Sequence, residues 1–222
     1  MASEWIPLIG KGILESIYMT FWGSICSGVI GLILGVLLAI TNKNGLNPNC
    51  FIYFVIGTFV NVIRSIPFII LLIFVGPLTR LLVGTTLGPK GVLVPLVICA
   101  APYVARVVET ALFEVPQEIK EAAKSMGAGV MTTMFRVVIP EAMPSLLSGG
   151  VITITLILGY SAMAGIVGGG GLGDLAIRYG YYRYESQVMM VVVLLLIIFV
   201  QVIQLCGFKV VKKIDKRKTG GN

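Results

Sequence analysis

Two long stretches of this sequence contain no charged residue, and they limit what the chain can fold into. Residues 17–40 and 188–207 consist mainly of apolar and small side chains. A helix of about 20 such residues crosses the hydrocarbon core of a bilayer. The whole chain is 57% hydrophobic and 12% charged, with a mean hydropathy of +0.97. Soluble domains carry about 25% charged residues, so the composition predicts an integral membrane protein.

The sequence predicts an all-α fold, with one transmembrane domain over residues 1–222 and five membrane-spanning helices. Their approximate ranges are 17–40, 66–83, 92–112, 142–167 and 188–207, and loops are expected at 84–91 and 168–187. The tract 50–83 is too long for one upright helix, and Pro67 interrupts it. Two interpretations stay open: residues 51–63 lie partly at the membrane interface, or the helix is kinked at Pro67. We favour 66–83 as the crossing part.

Small residues recur at every fourth position of the first predicted span. They are Gly23, Ser27, Gly31 and Gly35. Small side chains at this spacing let a second helix approach closely. The pattern therefore predicts a helix-packing seam, and a bend used for gating is the other interpretation.

Basic residues are distributed unevenly between the two sides that five spans define. If the C-terminus is cytoplasmic, twelve of the seventeen Lys and Arg residues lie on the cytoplasmic side. These are Lys43, Arg64, Arg106, Lys120, Lys124, Arg136, Lys209, Lys212, Lys213, Lys216, Arg217 and Lys218. The positive-inside rule then predicts a multi-pass plasma-membrane protein with its N-terminus outside. The basic C-terminal end directly follows a span, so a cytoplasmic flank explains it and no nucleic-acid partner is expected.

The longest strongly polar passage, 114–140, begins with the pattern of a short amphipathic helix on the cytoplasmic side. Pro116 suits the first turn of a helix and Gly127 suits a left-handed C-terminal cap, which bounds the helix at 116–127. The spacing i, i+3, i+4, i+7 predicts one apolar stripe. The stripe consists of Ile119, Ala122, Ala123 and Met126. Its alanines favour close approach to a solid partner, either this protein or another.

The sequence EAAKSMGAGVMTTMFRVVIP resembles the EAA loop of ABC importer permeases. The matching positions are Glu121, Ala122, Ala123, Gly127 and Pro140. Val137 and Ile139 depart mildly from the usual Ile and Leu. The segments RSIPFIILLIFVGPLTR, CAAPYVARVVE and GYSAMAGIVGGGGLGDLAIRYGYYRY resemble the methionine importer permeases in particular.

The resemblance implies a type I ABC importer permease fold in a bacterial plasma membrane, and ATP-driven import with methionine as the substrate. It implies a homodimer that pairs with two cytoplasmic ATP-binding cassette subunits and an external substrate-binding protein. The helix at 116–127 would be the coupling helix, which docks in a cleft of the ATPase subunit. The residues assigned to coupling are Ile119, Glu121, Ala122, Ala123, Met126 and Gly127.

The fourth predicted span carries a stripe of small and hydroxyl residues that suits a narrow translocation path with a gate. The path and gate residues are Ser148, Thr155, Gly159, Tyr160, Ser161 and Met163. The resemblance favours this reading, because the span lies near the dimer axis in the family. The alternative is a helix-packing seam, for which Ser, Thr and Gly also serve.

Several motifs that would indicate other functions are missing or incomplete. The sequence has no G-x-x-x-x-G-K-[ST] motif, so ATP is expected on a partner subunit. Histidine is absent and no CxxC pair occurs, so we assign no catalytic, metal or cofactor-binding residue. Gly168, Gly170 and Gly173 fit G-x-G-x-x-G, but a turn with positive φ explains them better. The alternative function is an ion-gradient-driven secondary transporter or channel for a small neutral solute, which usually needs an intramembrane carboxylate.

Overall fold

The structure, a computed structural model, describes residues 2–215, and all of their regular secondary structure is helical. The α-helices are α1 (Ala2–Thr41), α2 (Cys50–Ser65), α3 (Phe68–Phe74), α4 (Gly76–Val83), α5 (Gly88–Phe113), α6 (Gln117–Ser125), α7 (Val130–Thr133), α8 (Ile139–Met163), α9 (Gly171–Leu175) and α10 (Ser186–Ile214). Two π-helical turns, Met134–Val138 and Ala176–Tyr181, and one 3-10 turn, Ala164–Val167, continue these helices. The all-α prediction is confirmed.

The described chain forms two units. Unit 1 contains residues 2–27, 66–100 and 153–204, and unit 2 contains residues 28–65, 101–152 and 205–215. Helices α1, α5, α8 and α10 each contribute residues to both units.

Four helical stretches among the described residues are long and apolar enough to cross a membrane. They are Trp5–Thr41, Gly88–Phe113, Val130–Tyr181 and Ser186–Ile214. A fifth crossing results if the bent pair α2 and α3 is counted as one broken span. The apolar stretches predicted at 17–40, 92–112, 142–167 and 188–207 all lie inside these helical stretches.

The tract predicted to cross the membrane at 66–83 differs from the expectation. Instead of one helix it contains two short ones, α3 and α4, separated at Val75. Helix α2 ends at Ser65, and Pro67 is extended (φ −57°, ψ 138°) before α3 begins. A proline lacks the N–H for the helical hydrogen bond and disfavours helix in the residue before it. The break at Pro67, one of the two interpretations left open, is present, and α2 and α3 are bent by 103°.

The loop predicted at 168–187 is largely helical. Gly168, Gly170 and Gly171 have φ values of +75°, +79° and +78°, so the expected positive-φ turn is present. Directly after it, α9 begins, because α1 supplies its N-terminal hydrogen-bond acceptors. The N–H of Gly171 donates to the Glu15 carboxylate (2.7 Å), and the N–H of Leu172 donates to the Ser16 hydroxyl (2.9 Å). The other predicted loop, 84–91, is shorter than expected because α5 begins at Gly88.

The glycine seam predicted along α1 is present. In unit 2, a Cβ atom at Gly35 would lie 2.6 Å from the Ala105 carbonyl oxygen and 2.6 Å from the Val108 Cβ atom of α5. Gly31 is also in close contact with α5, at Val104. In contrast, a Cβ atom at Gly28 would meet nothing within 4 Å. The absence of side chains at Gly31 and Gly35 is thus what allows the backbones of α1 and α5 to approach.

We predict that Gly35→Val lowers the free energy of unfolding by about 1–3 kcal/mol, because the added methyl groups meet a backbone carbonyl that cannot rotate away. The matched control, Gly28→Val, should change it by less than about 0.5 kcal/mol. Thermal unfolding of the purified variants in one detergent measures the difference. Equal melting temperatures for the two variants would contradict the seam.

Candidate functional site

Helix α6 lies in unit 2, and local backbone geometry fixes both of its ends. It begins after Pro116, which is extended (φ −54°, ψ 143°). At its C-terminal end, Gly127 has φ +80° and donates its N–H to the carbonyl of Lys124 (2.9 Å). The N–H of Ala128 donates to the carbonyl of Ala123 (3.1 Å). These two bonds form a Schellman cap, so Gly127 has the left-handed role that its sequence position suggests.

The residues of α6 and its C-terminal cap divide between a buried and an exposed face. Ala123 is 2% exposed, and Ile119 is half-buried. The exposed face carries Glu121, Ala122, Ser125, Met126 and Gly127. The predicted apolar stripe is therefore split, with Ile119 and Ala123 inside and Ala122 and Met126 outside. An i to i+7 stripe is wide, and the core of unit 2 meets only one edge of it.

The buried face of α6 rests on one hydrophobic cluster of unit 2. Its buried members are Val36, Ala39, Ile40, Leu46, Val104, Val108, Leu112, Val115, Met134, Val138 and Ala142, and Ile119 packs against them. The cluster thus joins parts of α1, α5, α8 and the π-helical turn before α8. In addition, the Gln117 side-chain amide donates to the carbonyl of Asn44 (3.0 Å). Helix α6 is therefore fixed along one face and at its N-terminal end.

Lys120 is buried, although the sequence pattern places it on the polar face of α6. Only 6% of the residue is exposed, and its ammonium nitrogen lies 5.7 Å from the centre of the Phe113 ring. No ion pair joins it to a carboxylate within residues 2–215. Burial lowers the pKa of Lys120, because the charged form loses hydration. The long alkyl chain covers apolar surface, and the ammonium lies over the Phe113 ring.

The path residues predicted on α8 do not all lie on one face. In unit 1, Thr155, Gly159 and Met163 follow at steps of four and share a face. Thr155 is half-buried, Gly159 is exposed and Met163 is 42% exposed. A Cβ atom at Gly159 would meet nothing within 4 Å. Within unit 1, therefore, no helix packs closely on this face at Gly159.

The other predicted path residues of unit 1 point elsewhere. Ser161 is 1% exposed and donates its hydroxyl to the carbonyl of Leu158 (2.7 Å). The Tyr160 ring stacks on Phe68, with ring centres 4.7 Å apart and planes at 9°. Both residues are thus part of the internal packing of unit 1. Ser148, in unit 2, is half-buried.

Arg106 holds the most extensive polar network of unit 2. It forms an ion pair with Glu109 (2.6 Å), as their spacing of three on one helix predicts. It also donates to the Asn61 side chain (2.9 Å) and to the carbonyl of Gly57 (3.3 Å) on α2. Glu109 is 5% exposed. This carboxylate is thus committed to an arginine, and the pair cross-links α2 and α5, which the sequence pattern did not reveal.

Comparison with known proteins identifies the group to which this architecture belongs. Residues 31–220 match the family described as the binding-protein-dependent transport system inner membrane component. The chain belongs to this family. It is therefore a membrane component of a transport system rather than an enzyme, and the resemblance carried by the EAA segment is confirmed.

Individual members of the family are similar along nearly the whole chain. The probable D-methionine transport system permease protein MetI of Vibrio cholerae is 42% identical over 219 residues, which cover 97% of each chain. The methionine import system permease protein MetP of Bacillus subtilis is 46% identical over 203 residues, or 91% of each chain. A chain in a solved structure of inward-facing conformations of the MetNI methionine ABC transporter has a TM-score of 0.95 and 42% identity. That match covers 97% of this chain and 100% of the other.

We predict that Lys120→Met raises the melting temperature at neutral pH by roughly 2–4 °C, equivalent to about 1 kcal/mol, because it removes a buried, unpaired charge. The folded chain binds a proton at Lys120 less tightly than the unfolded chain, whose lysine titrates near 10.5. The melting temperature of the parent protein should therefore increase as the pH rises towards that value. The difference in melting temperature between the parent and Lys120→Met should become smaller over the same pH range.

The matched control is Lys124→Met on the same helix, since Lys124 is exposed. It should leave both the melting temperature and its pH dependence unchanged. A lower melting temperature for Lys120→Met would show that the contact with the Phe113 ring outweighs the cost of burying the ammonium.

Proposed function

We propose that this chain is the membrane-spanning permease subunit of an ATP-driven importer for methionine. It forms the translocation path as a homodimer, with two ATP-binding cassette subunits on the cytoplasmic side and an external substrate-binding protein. The observation that carries the proposal is identity of 42–46% along more than nine-tenths of the chain to permeases named for methionine transport. ATP is bound by the partner subunits, and this chain binds no cofactor.

We propose that α6 is the coupling helix, and that its exposed face docks on the ATPase subunit. That face offers Glu121, Ala122 and Met126, and it ends at the Gly127 cap. Small side chains allow close approach, and an exposed methionine adapts its shape to an apolar partner. Ile119 and Ala123 contribute indirectly, because they attach the helix to the core of unit 2. This division of roles is what the two faces of α6 support.

We propose five spans, with α2 and α3 together forming one broken span, so that the N-terminus lies outside and the C-terminus in the cytoplasm. The distribution of basic residues supports this orientation. The last two turns of α10 carry Lys209, Lys212 and Lys213. The remaining basic residues of the C-terminal end, Lys216, Arg217 and Lys218, lie outside the described residues.

We propose that the translocation path runs along the α8 face of unit 1 that carries Thr155, Gly159 and Met163. Ser148, in unit 2, stays a predicted path residue. The open space at Gly159 favours a translocation path rather than a helix-packing seam within the chain. Met163 is long, flexible and exposed, which suits a gate. Tyr160 and Ser161 support the gate from behind, since both are engaged within unit 1.

The test of the function is uptake by proteoliposomes that contain the chain and its co-expressed cassette ATPase, with the binding protein outside. We expect methionine uptake that requires ATP and stops without the ATPase. Ala122→Trp should assemble normally and abolish methionine-stimulated ATP hydrolysis, because the indole blocks close docking of α6. Lys90→Trp, at an exposed position on the proposed outer side, is the control and should retain stimulation. Uptake driven by an ion gradient without the ATPase would instead support a secondary transporter.

Single cysteines test the path and the orientation, after replacement of Cys26, Cys50, Cys99 and Cys206. Met163→Cys should react with a small polar thiol reagent, and its reactivity should change with nucleotide. Ile197→Cys is the matched control, because Ile197 has a similar exposure of 51% on apolar α10 but should face lipid. In intact cells, an impermeant reagent should label Lys90→Cys and spare Lys213→Cys. Equal reactivity of Met163→Cys and Ile197→Cys would show that the path does not run along this face. Labelling of Lys213→Cys but not of Lys90→Cys would show that the topology is the reverse of the proposed one.

A further inference from the structure

Unit 2 contains a polar cavity that none of the roles above uses. It has a volume of about 340 Å³ and is bordered by the C-terminal end of α2, by α5 with the residue that follows it, and by α8. Its polar wall includes Arg64, Tyr103, Glu114 and Ser145, and Ile152 contributes an apolar surface. Cavities of about 300–1,000 Å³ are typical of sites for small molecules. The cavity is large enough for one amino acid.

The cavity wall holds one cation and one anion that are not paired with opposite charges. Within residues 2–215, the Arg64 guanidinium forms no ion pair, and its carbon atom lies 5.8 Å from the centre of the Tyr103 ring. The Glu114 carboxylate accepts a hydrogen bond from the Ser145 hydroxyl but is likewise in none of the ion pairs of these residues. Arg106 also borders the cavity, but it is already paired with Glu109. Arg64 and Glu114 are therefore the two charges available to a ligand.

The backbone places the cation at a fixed position. Arg64 lies in the last turn of α2, one residue before the helix ends at Ser65. The helix cannot continue there, because Ile66 precedes a proline and Pro67 has no N–H to donate. The stacking of Arg64 near the Tyr103 ring holds the guanidinium beside the cavity and leaves its N–H groups available.

We propose that this cavity is a binding station for a zwitterionic α-amino acid on its way to the cytoplasm. Arg64 binds the α-carboxylate through two parallel N–H donors, and Glu114 accepts hydrogen bonds from the α-ammonium. Ile152 lies against the apolar side chain. The inference rests on the proposed function, and it adds a substrate site inside the membrane component.

The charge pattern selects a zwitterion over an anion. A phosphate headgroup would be attracted by Arg64 but repelled by Glu114, whereas an amino acid satisfies both groups at once. The position of the cavity agrees with this role. In the proposed orientation Arg64 lies inside the broken span, beside the break after α2, and Glu114 lies at the cytoplasmic end of α5. Ser145 and Ile152, seven residues apart on α8, bring the cavity to the same helix that carries the proposed path.

The direct test uses Ile152→Cys in the background without the four natural cysteines, because Ile152 borders the cavity and is 50% exposed. The full chain is purified with its ATPase subunits in nanodiscs, without the binding protein. Methionine should protect this cysteine from a small thiol reagent in a concentration-dependent manner. The des-amino and des-carboxy analogues of methionine should each require at least about tenfold more, because each lacks one charged contact. Leu81→Cys, in unit 1, should not be protected.

Charge variants in the Ile152→Cys protein assign the two contacts. In Arg64→Gln, protection should require at least about tenfold more methionine. Methionine and the des-carboxy analogue should then protect at similar concentrations. Glu114→Gln should do the same for the des-amino analogue. The controls Arg80→Gln and Glu185→Gln, at exposed positions of unit 1, should leave protection unchanged.

The outcomes separate this site from the proposed function. Missing protection in a preparation that still takes up methionine with ATP overturns the binding station and leaves the importer standing. Equal protection by methionine and both analogues also overturns it, since the charges would then have no part in binding. Co-purified anionic lipid that is lost in Arg64→Gln, without protection by methionine in the parent, identifies a lipid site and overturns it as well.

Discussion

The close approach of α1 and α5 is the contact on which the rest of unit 2 depends. In hydrocarbon, helices are not driven together by the hydrophobic effect, and van der Waals contact between closely spaced backbones supplies part of the attraction. Gly31 and Gly35 make that spacing possible, because a Cβ atom at either position would collide with α5. The same two helices provide most of the hydrophobic cluster on which Ile119 of α6 packs. The position of the proposed coupling surface is thus set by two glycines that lie far from it in the sequence.

The charges of unit 2 have two different roles that their positions alone do not distinguish. Arg106 is engaged by Glu109, Asn61 and the carbonyl of Gly57, and so it acts as a cross-link between α2 and α5. Arg64 stands near the same cavity with its guanidinium unpaired among the described residues. Arg106 is half-buried and paired, whereas Arg64 is exposed. This difference separates a charge that stabilises the fold from a charge that a ligand could use.

The parts of the fold that could be predicted from sequence are those fixed by neighbours in the chain. Uncharged apolar runs predict the long helices, Pro67 predicts a break, and Gly127 predicts the end of α6. The parts that were missed depend on residues far apart. Helix α9 begins where it does because Glu15 accepts an N–H from a residue 156 positions away, and no local pattern reports that partner.

The candidate site shows the same limit. The existence of α6 follows from its own sequence, but its orientation follows from the cluster beneath it. A periodic pattern gives the relative angles of Ala122, Ala123 and Met126 but not the direction in which the core lies. The pattern therefore did not show that the core divides the predicted stripe, nor that it buries Lys120. The cavity between α5 and α8 was likewise not predictable, because Arg64, Glu114 and Ser145 come from three separate elements.

The capped and anchored ends of α6 have a mechanical consequence. A short helix suspended between two flexible linkers would rotate or stretch under load, and a push on it would dissipate in the linkers. Here the N-terminal end is tied to the carbonyl of Asn44, one face is embedded among side chains of α1 and α5, and Gly127 closes the far end in a single backbone geometry. Densely packed interiors resist compression and transmit strain. Helix α6 is therefore stiffly connected to unit 2, and a displacement of a few ångströms imposed on its outer surface would be passed to the ends of the long helices rather than absorbed.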